Sequence, residues 1–144
     1  MGKKRLPPEF EITINKLSEK GEGIGRYSNR KVYVFGAFPG DVVLVAPTKV
    51  RRGGVRARLV EIISDANNRN KPRCDHYLSC SPFQPLLYKT QLRYKQSIVK
   101  DIFKNRAGLR VQDIPIIPAQ DQYNYRRLRQ SHRFVHQCRH RRST

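Results

Sequence analysis

Apolar and polar residues alternate with a period of two where the first clear pattern of the chain begins. Phe10, Ile12 and Ile14 are separated by single charged or polar residues, which is typical of a strand with one buried face. No helical period occurs before residue 64. Four or five short strands at regular spacing predict a small β-barrel. The other short apolar segments, bounded by turn sequences such as YSNRK and FPGD, lie at 24–27, 32–35, 42–46 and 55–64.

The apolar period lengthens to that of a helix from residue 88 onward. A spacing of seven, three and one places four side chains on one side of such a helix, and Gly108 is a typical helix end. The fold class predicted is therefore mainly β, with a small β-barrel followed by an irregular cysteine segment and one amphipathic α-helix. The four apolar positions are Leu92, Val99, Ile102 and Phe103. The opposite side carries Lys89, Arg93, Gln96, Lys100 and Lys104.

These patterns divide the chain into five segments. The polar stretch DANNRNKPR separates the barrel from the cysteines, and the prolines of VQDIPIIPA favour an extended segment after the helix. The end of the chain is rich in arginine and has no clear apolar period, so it is expected to be disordered or only partly docked. The segments are a basic tail at 1–9, the barrel at 10–64, a linker with the cysteines at 65–87, the helix and its continuation at 88–128, and a basic tail at 129–144.

The charge of the chain narrows the choice of partner. The 144 residues include 30 Lys and Arg against 11 Asp and Glu, a formal net charge of +19. Such a field attracts polyanions, so RNA is the expected partner and an anionic membrane surface the alternative. No apolar run approaches the roughly 20 residues that a membrane helix needs, and the start MGKKRLPPEF has no apolar stretch of a secretory signal. We therefore expect a cytoplasmic protein that does not enter a membrane.

Basic and aromatic residues occur together on the predicted strands. Arginines that hold phosphates and rings that stack on bases are the usual means by which a barrel face binds single-stranded RNA. The alternative for each ring is a place in the core. The alternative for the basic side of the helix is an ordinary solvated face. The phosphate-binding candidates are Arg26, Arg30, Lys31, Arg51, Arg52, Arg56 and Arg58, with Lys89, Arg93 and Lys100 on the helix. The candidate stacking rings are Tyr27 and Tyr33.

The cysteines leave the question of a metal open. Cys74 and Cys80 enclose five residues, whereas paired zinc ligands are usually two to four residues apart and an iron–sulfur cluster needs four thiolates. The chain has three cysteines, an odd number that disfavours a disulfide scaffold. The glycine-rich GEGIGR is not a dinucleotide-binding loop, because that motif must open a helix and here a strand follows.

The stretch from KLSEKGEGIGRYSNRK to VRARLVEIIS resembles a TRAM domain, an OB-type RNA-binding barrel. The ordered set CDHYLSC, QLRYKQSIVKDIF and YNYRR resembles the region after that domain in S-adenosylmethionine-dependent RNA uracil-5-methyltransferases, which modify ribosomal or transfer RNA. The resemblance implies that residues 88–128 begin the central domain of that family. It also implies that Tyr125 and Arg126, which match a Tyr-Arg-Asn-Lys motif, contact substrate RNA.

The same resemblance implies a [4Fe–4S] cluster on a C-x5-C-G-G-C motif. Cys74 and Cys80 match its first two ligands, but Ser81, Pro82 and Phe83 replace the rest. The motif is therefore incomplete, and a cluster on Cys74 and Cys80 stays an open alternative. The Gly-rich cofactor loop, nucleophilic cysteine and general base of the family's methyltransferase domain are not found in this sequence. The resemblance therefore implies S-adenosylmethionine only for that absent domain, and no catalysis by this chain alone.

The function predicted is an RNA-binding module that resembles the N-terminal, substrate-recognition part of such a methyltransferase. The likeness ends near residue 128, so the chain is interpreted as truncated or shifted out of frame there. One alternative is part of a split or broken methyltransferase, with a second chain carrying the cofactor domain. The other is a ribosome-associated basic RNA-binding protein.

Overall fold

The structure is a computed structural model, and it describes residues 6–112 and 114–119, apart from the side chain of Cys80. Five strands come first, followed by one short and one long helix. Residues up to Ile114 belong to one compact unit; residues 115–119 belong to a second and have no regular secondary structure. The elements are β1 (Phe10–Leu17), β2 (Gly23–Tyr27), β3 (Arg30–Val34), β4 (Val42–Arg51), β5 (Gly54–Ser64), α1 (Tyr77–Cys80) and α2 (Tyr88–Ala107).

The five strands form a closed barrel in the order β1-β2-β3-β5-β4. Every neighbouring pair is antiparallel except β3 and β5, which run parallel with Val32 opposite Val55. The predicted barrel and the helix after it are therefore confirmed. The parallel pair places the start of β3 beside the start of β5.

The barrel interior is filled by the apolar residues of the alternating pattern. The side chains of β1 that the pattern assigned to one face, Phe10, Ile12 and Ile14, are at most 5% exposed. Each fully buried aliphatic side chain of this size contributes about 1.5–3 kcal/mol relative to exposure. Outward positions on the same strands carry the charged residues, which sets the basic surface on the outside. The other core members are Val32, Val34, Ala37, Val43, Val45 and Val55.

The β2–β3 hairpin closes with two residues in the left-handed region, Ser28 at φ 44° and Asn29 at φ 64°. Positive φ at both central positions is the geometry of a type I′ turn, whose twist matches that of the flanking strands. The predicted YSNRK turn is thus confirmed. It brings Arg30 and Lys31 to the tip of the hairpin.

A buried carboxylate joins the barrel to the linker after it. Asp41 is 0% exposed, and it accepts hydrogen bonds from the backbone N–H of Phe38 at 2.7 Å and from Nδ2 of Asn67 at 2.8 Å. It also pairs with the guanidinium of Arg69, which lies over the Phe38 ring. Residues 65–73 were predicted as a linker from their polarity, but Ala66, Asn67 and Arg69 are fixed against the barrel because they bind this carboxylate.

The long helix confirms the predicted element, and Gly108 ends it at φ 67° in the left-handed region. The side that packs, however, is not the predicted apolar set. Tyr94 stacks on Phe38 with ring centroids 5.7 Å apart, whereas Val99 and Phe103 are 38% and 42% exposed. The spacing of apolar residues predicts a helix, but it does not reveal which helix residue will face an aromatic ring of the barrel.

The hydroxyl of Tyr94 completes the contact between α2 and the Asp41 network. It donates to Oδ1 of Asn67 at 2.5 Å. Burial raises the pKa of this hydroxyl above its ordinary value of 10.0, and the negative charge of Asp41 adds to the effect while Arg93 opposes it. Tyr94 therefore remains a hydrogen-bond donor throughout the physiological pH range.

A single methyl group added at Gly54 is expected to destabilise the barrel by about 1–3 kcal/mol. Gly54 has φ 142°, and a Cβ there would lie 2.6 Å from the carbonyl oxygen of Lys31. Urea denaturation of Gly54→Ala measures the loss through the transition midpoint at constant m-value. The neighbouring Gly53→Ala is the matched control, because nothing lies within 4 Å of its added Cβ. Equal shifts in the two variants would contradict the strain argument.

Candidate nucleic-acid interface

A basic cleft of about 630 Å³ lies between the tips of two hairpins. One wall is the β2–β3 turn with Arg30 and Lys31, and the other is the β4–β5 turn with Arg51 and Arg52. The parallel pairing of β3 with β5 brings these turns together. Four positive side chains line the cleft, and none of the described residues around it is acidic. We call it the hairpin-tip cleft.

The strands beside this cleft place like charges opposite each other. Arg26 on β2 faces Lys31 on β3, and Lys49 on β4 faces Arg56 on β5. Like charges directly across a sheet are destabilising. The arrangement therefore favours an anionic partner, whose binding would relieve the repulsion.

A second cleft of about 210 Å³ adjoins the first and shares Arg51, Gly53 and Gly54 with it. Its remaining lining residues are Tyr33 and Arg56, which face each other across β3 and β5. We call it the Arg56 cleft. The half-buried ring of Tyr33 is thus next to the guanidinium of Arg56. A surface that stacks a base and also contacts its phosphate requires such a pair.

The guanidinium of Arg56 is held from behind by a buried carboxylate. Its Nη1 lies 3.1 Å from Oε1 of Glu22, and the two side chains are 48% and 5% exposed. Glu22 is itself fixed in the β1–β2 loop by Ser18, whose Oγ accepts the Glu22 N–H at 3.1 Å. Arg56 therefore presents its outer N–H groups in a fixed direction, which a solvated arginine would not do.

A third cleft of about 330 Å³ begins on the other side of Tyr33. It lies between the β1–β2 loop and the C-terminal half of α2, and we call it the helix-side cleft. Its charged residues are Lys16 and Lys104 against Glu19 and Asp101, so the formal charges cancel. Glu19 also accepts hydrogen bonds from Arg106 at 2.6 and 3.0 Å, which ties α2 to the loop.

Residues 8–60 match the TRAM domain family. The barrel is a TRAM domain. The resemblance found in the sequence is confirmed over this region, and the described barrel Phe10–Ser64 contains nearly all of the matched residues. The match does not include α1 or α2.

Longer similarities extend past the TRAM barrel. The 23S rRNA (uracil(1939)-C(5))-methyltransferase RlmD of Alkalilimnicola ehrlichii is 39% identical over 110 residues, covering 74% of this chain and 25% of that protein. An uncharacterized RNA methyltransferase of Clostridium tetani is 34% identical over 119 residues, covering 81% of this chain and 26% of its own length. The chain thus spans about a quarter of the length of these relatives and is homologous to their N-terminal region.

A solved structure also matches the chain. The solution structure of a conserved protein of Methanococcus maripaludis is 32% identical with a TM-score of 0.37, covering 40% of this chain and 81% of that chain.

The remaining predicted RNA-binding residues are not gathered at the clefts of the TRAM barrel. Tyr27 packs on the core residue Phe10, with ring centroids 4.1 Å apart. Arg26 and Arg58 are exposed on strands β2 and β5. Tyr125 and Arg126 lie outside the described residues. On α2, Lys89 and Arg93 are exposed and Lys100 is half-buried, and the lining residues described for the three clefts do not include them.

The cysteine segment does not fit a [4Fe–4S] cluster. Such a cluster is held by Cys thiolates, and a phenyl ring cannot replace one of them. Phe83, at the place of the third ligand, packs its ring edge-on against Phe38 at 5.2 Å. Cys74 is a half-buried free thiol. Among the residues whose placement is described, no three His, Cys, Asp or Glu side chains form a group that could hold a metal.

The clefts also contain residues that the sequence interpretation did not select. Asn29, Gly53 and Gly54 line the hairpin-tip cleft, and Asn105 lines the helix-side cleft. The sequence does not reveal the position of Gly53 and Gly54 beside β3, because that position depends on a strand pairing between distant segments.

Neither of the described helices combines the length and the apolar character that a membrane-spanning segment requires.

Proposed function

We propose that this chain binds RNA through its TRAM barrel and guides a substrate RNA toward a methyltransferase activity located elsewhere. The observation that carries the proposal is the hairpin-tip cleft, where four cations from two hairpins converge without an acidic neighbour among the described residues. A stable fold gains nothing from such a convergence, because like charges at short distance repel. A phosphate backbone would neutralise them.

The similarity to RNA methyltransferases supports RNA as the polyanion. Relatives that carry this name match the chain over about three quarters or more of its length. We attribute methyl transfer to the part of those proteins that this chain does not match, and S-adenosylmethionine has no role in the binding proposed here. Ribosomal or transfer RNA is the substrate class that the resemblance implies.

Binding to RNA is expected to depend strongly on salt. Each phosphate neutralised by Lys or Arg on a single strand contributes about 0.7 to the slope of log affinity against log salt concentration. Fluorescence anisotropy of the full chain with a labelled single-stranded RNA octamer, repeated from about 50 to 200 mM salt, measures this slope. A slope of magnitude near 3 agrees with the four cations of the hairpin-tip cleft. No detectable binding at the lowest salt would refute the proposal.

A ribosome-associated role is a second candidate because of the net charge of +19. The same chain added to purified ribosomal subunits and to free RNA separates the two. A chain that binds only assembled particles would favour the ribosome-associated protein.

A further inference from the structure

We propose that the helix-side cleft is a pocket for one nucleobase, with Tyr33 as its stacking wall. The inference rests on the RNA binding proposed above and adds to it a specific place for an unpaired base. In the helix-side cleft, the formal charges of the lining residues cancel. A phosphate is therefore not expected to bind there.

The three clefts adjoin one another around the barrel through shared lining residues. The hairpin-tip cleft and the Arg56 cleft share three residues. The Arg56 cleft and the helix-side cleft share Tyr33. A strand whose phosphates lie at the hairpin tips therefore passes Arg56 and reaches the tyrosine ring next.

The chemistry of the path changes at Tyr33. On one side, Arg51 and Arg56 suit phosphate oxygens. On the other side, the formal charges cancel, and the lining mixes apolar Leu17 and Ile24 with hydrogen-bonding groups. A nucleobase has an apolar face and a polar edge, so it fits this lining better than a phosphate does.

The size and the fixed walls of the cleft agree with a single base. Its volume of about 330 Å³ lies at the lower end of the range of small-molecule pockets, roughly 300–1,000 Å³. The stacking of Tyr94 on Phe38 holds α2 against the barrel, and the exposed ion pair of Arg106 with Glu19 lies beside the cleft. The Ser18 hydroxyl accepts the backbone N–H groups of Lys20 at 3.2 Å and of Glu22 at 3.1 Å, which keeps the loop in place.

The polar groups of the cleft can read the edge of the base. Asn105 offers both a donor and an acceptor through its side-chain amide, and Lys104 and Asp101 add one donor and one acceptor group. A base paired in a duplex could not enter, because its edge is already occupied and its faces are stacked. The pocket therefore selects single-stranded RNA and gives a preference at one nucleotide, whereas stacking alone accepts any base.

The test compares RNA with a polymer that has the same backbone but no bases. Wild type, Tyr33→Ala and Tyr33→Phe are titrated with a mixed-sequence RNA octamer and with an abasic ribose-phosphate octamer. Loss of the ring is expected to weaken RNA binding by about 5- to 150-fold and to leave the affinity for the abasic octamer unchanged. Tyr33→Phe keeps the ring and is expected to stay within about two-fold of wild type on both. Urea denaturation checks that each variant is folded.

Amide chemical shifts then locate the base. With the RNA octamer, the amides of Ser18, Lys104 and Asn105 are expected to shift, and with the abasic octamer only those of the hairpin tips. Equal loss of affinity for both polymers in Tyr33→Ala, or RNA shifts confined to the hairpin tips, would overturn the pocket while leaving RNA binding intact. If wild type binds neither polymer, the proposed function itself fails.

Discussion

Replacing Asp41 by alanine is expected to lower the free energy of unfolding by about 3–5 kcal/mol, the cost of breaking a buried ion pair from one side. The variant leaves the guanidinium of Arg69, 8% exposed in its side chain, without its main partner. It also leaves the backbone N–H of Phe38 and the amide of Asn67 without the acceptor they share. The carboxylate of Asp65, 3.4 Å from Nε of Arg69, lies on the exposed side and does not replace it.

Urea denaturation followed by circular dichroism measures this loss. Asp75→Ala removes a carboxylate from an exposed position and is the matched control, with an expected change within about 0.5 kcal/mol. Adding Arg69→Met to Asp41→Ala is expected to recover part of the stability, since it removes the uncompensated buried charge. An Asp41→Ala variant as stable as Asp75→Ala would show that the network does not hold the segment to the barrel.

Neutralising the hairpin-tip cleft is expected to weaken RNA binding by roughly 600-fold at 0.1 M salt. The variant carries glutamine at four positions. Each lost phosphate contact removes about 0.7 from the salt slope, so the slope should fall by about 3 and the affinity at 0.1 M by a factor of about 10 to the power 2.8. Anisotropy titrations over a range of salt concentrations give both quantities. The four substitutions are Arg30→Gln, Lys31→Gln, Arg51→Gln and Arg52→Gln.

The control for this variant removes the same charge elsewhere. Its four sites are exposed and are not among the residues described for the three clefts. We expect it to change the affinity far less, because its cations lie away from the proposed backbone path. If both variants lost the same affinity, binding would depend on net charge and not on the cleft. The control substitutions are Lys20→Gln, Lys71→Gln, Lys95→Gln and Arg110→Gln.

Several parts of the fold could be predicted because they depend on neighbours in sequence. The alternation from Phe10 to Ile14 marked a strand with one buried face, and the Ser-Asn turn marked a hairpin. Gly108 marked a helix end. In each case the local backbone geometry restricts which residue types fit.

The packing face of α2 could not be predicted in this way. Tyr94 contacts the barrel because its ring stacks on that of Phe38. Phe38 lies in a turn that is distant in sequence from α2. The polar composition of residues 65–73 was equally uninformative, since Arg69 is held by a carboxylate 28 residues earlier. Such pairs are visible only when both partners have been placed.

The sequence by itself determined the strands, their turns, the helix and the excess of positive charge, because alternation, turn chemistry and composition act locally or as totals. Only the tertiary structure decided which cations share a cleft and which tyrosine is available for stacking. The physical reason is the parallel pairing of β3 with β5, a contact between distant segments that brings two hairpin tips together. It also places Tyr33 between the Arg56 cleft and the helix-side cleft.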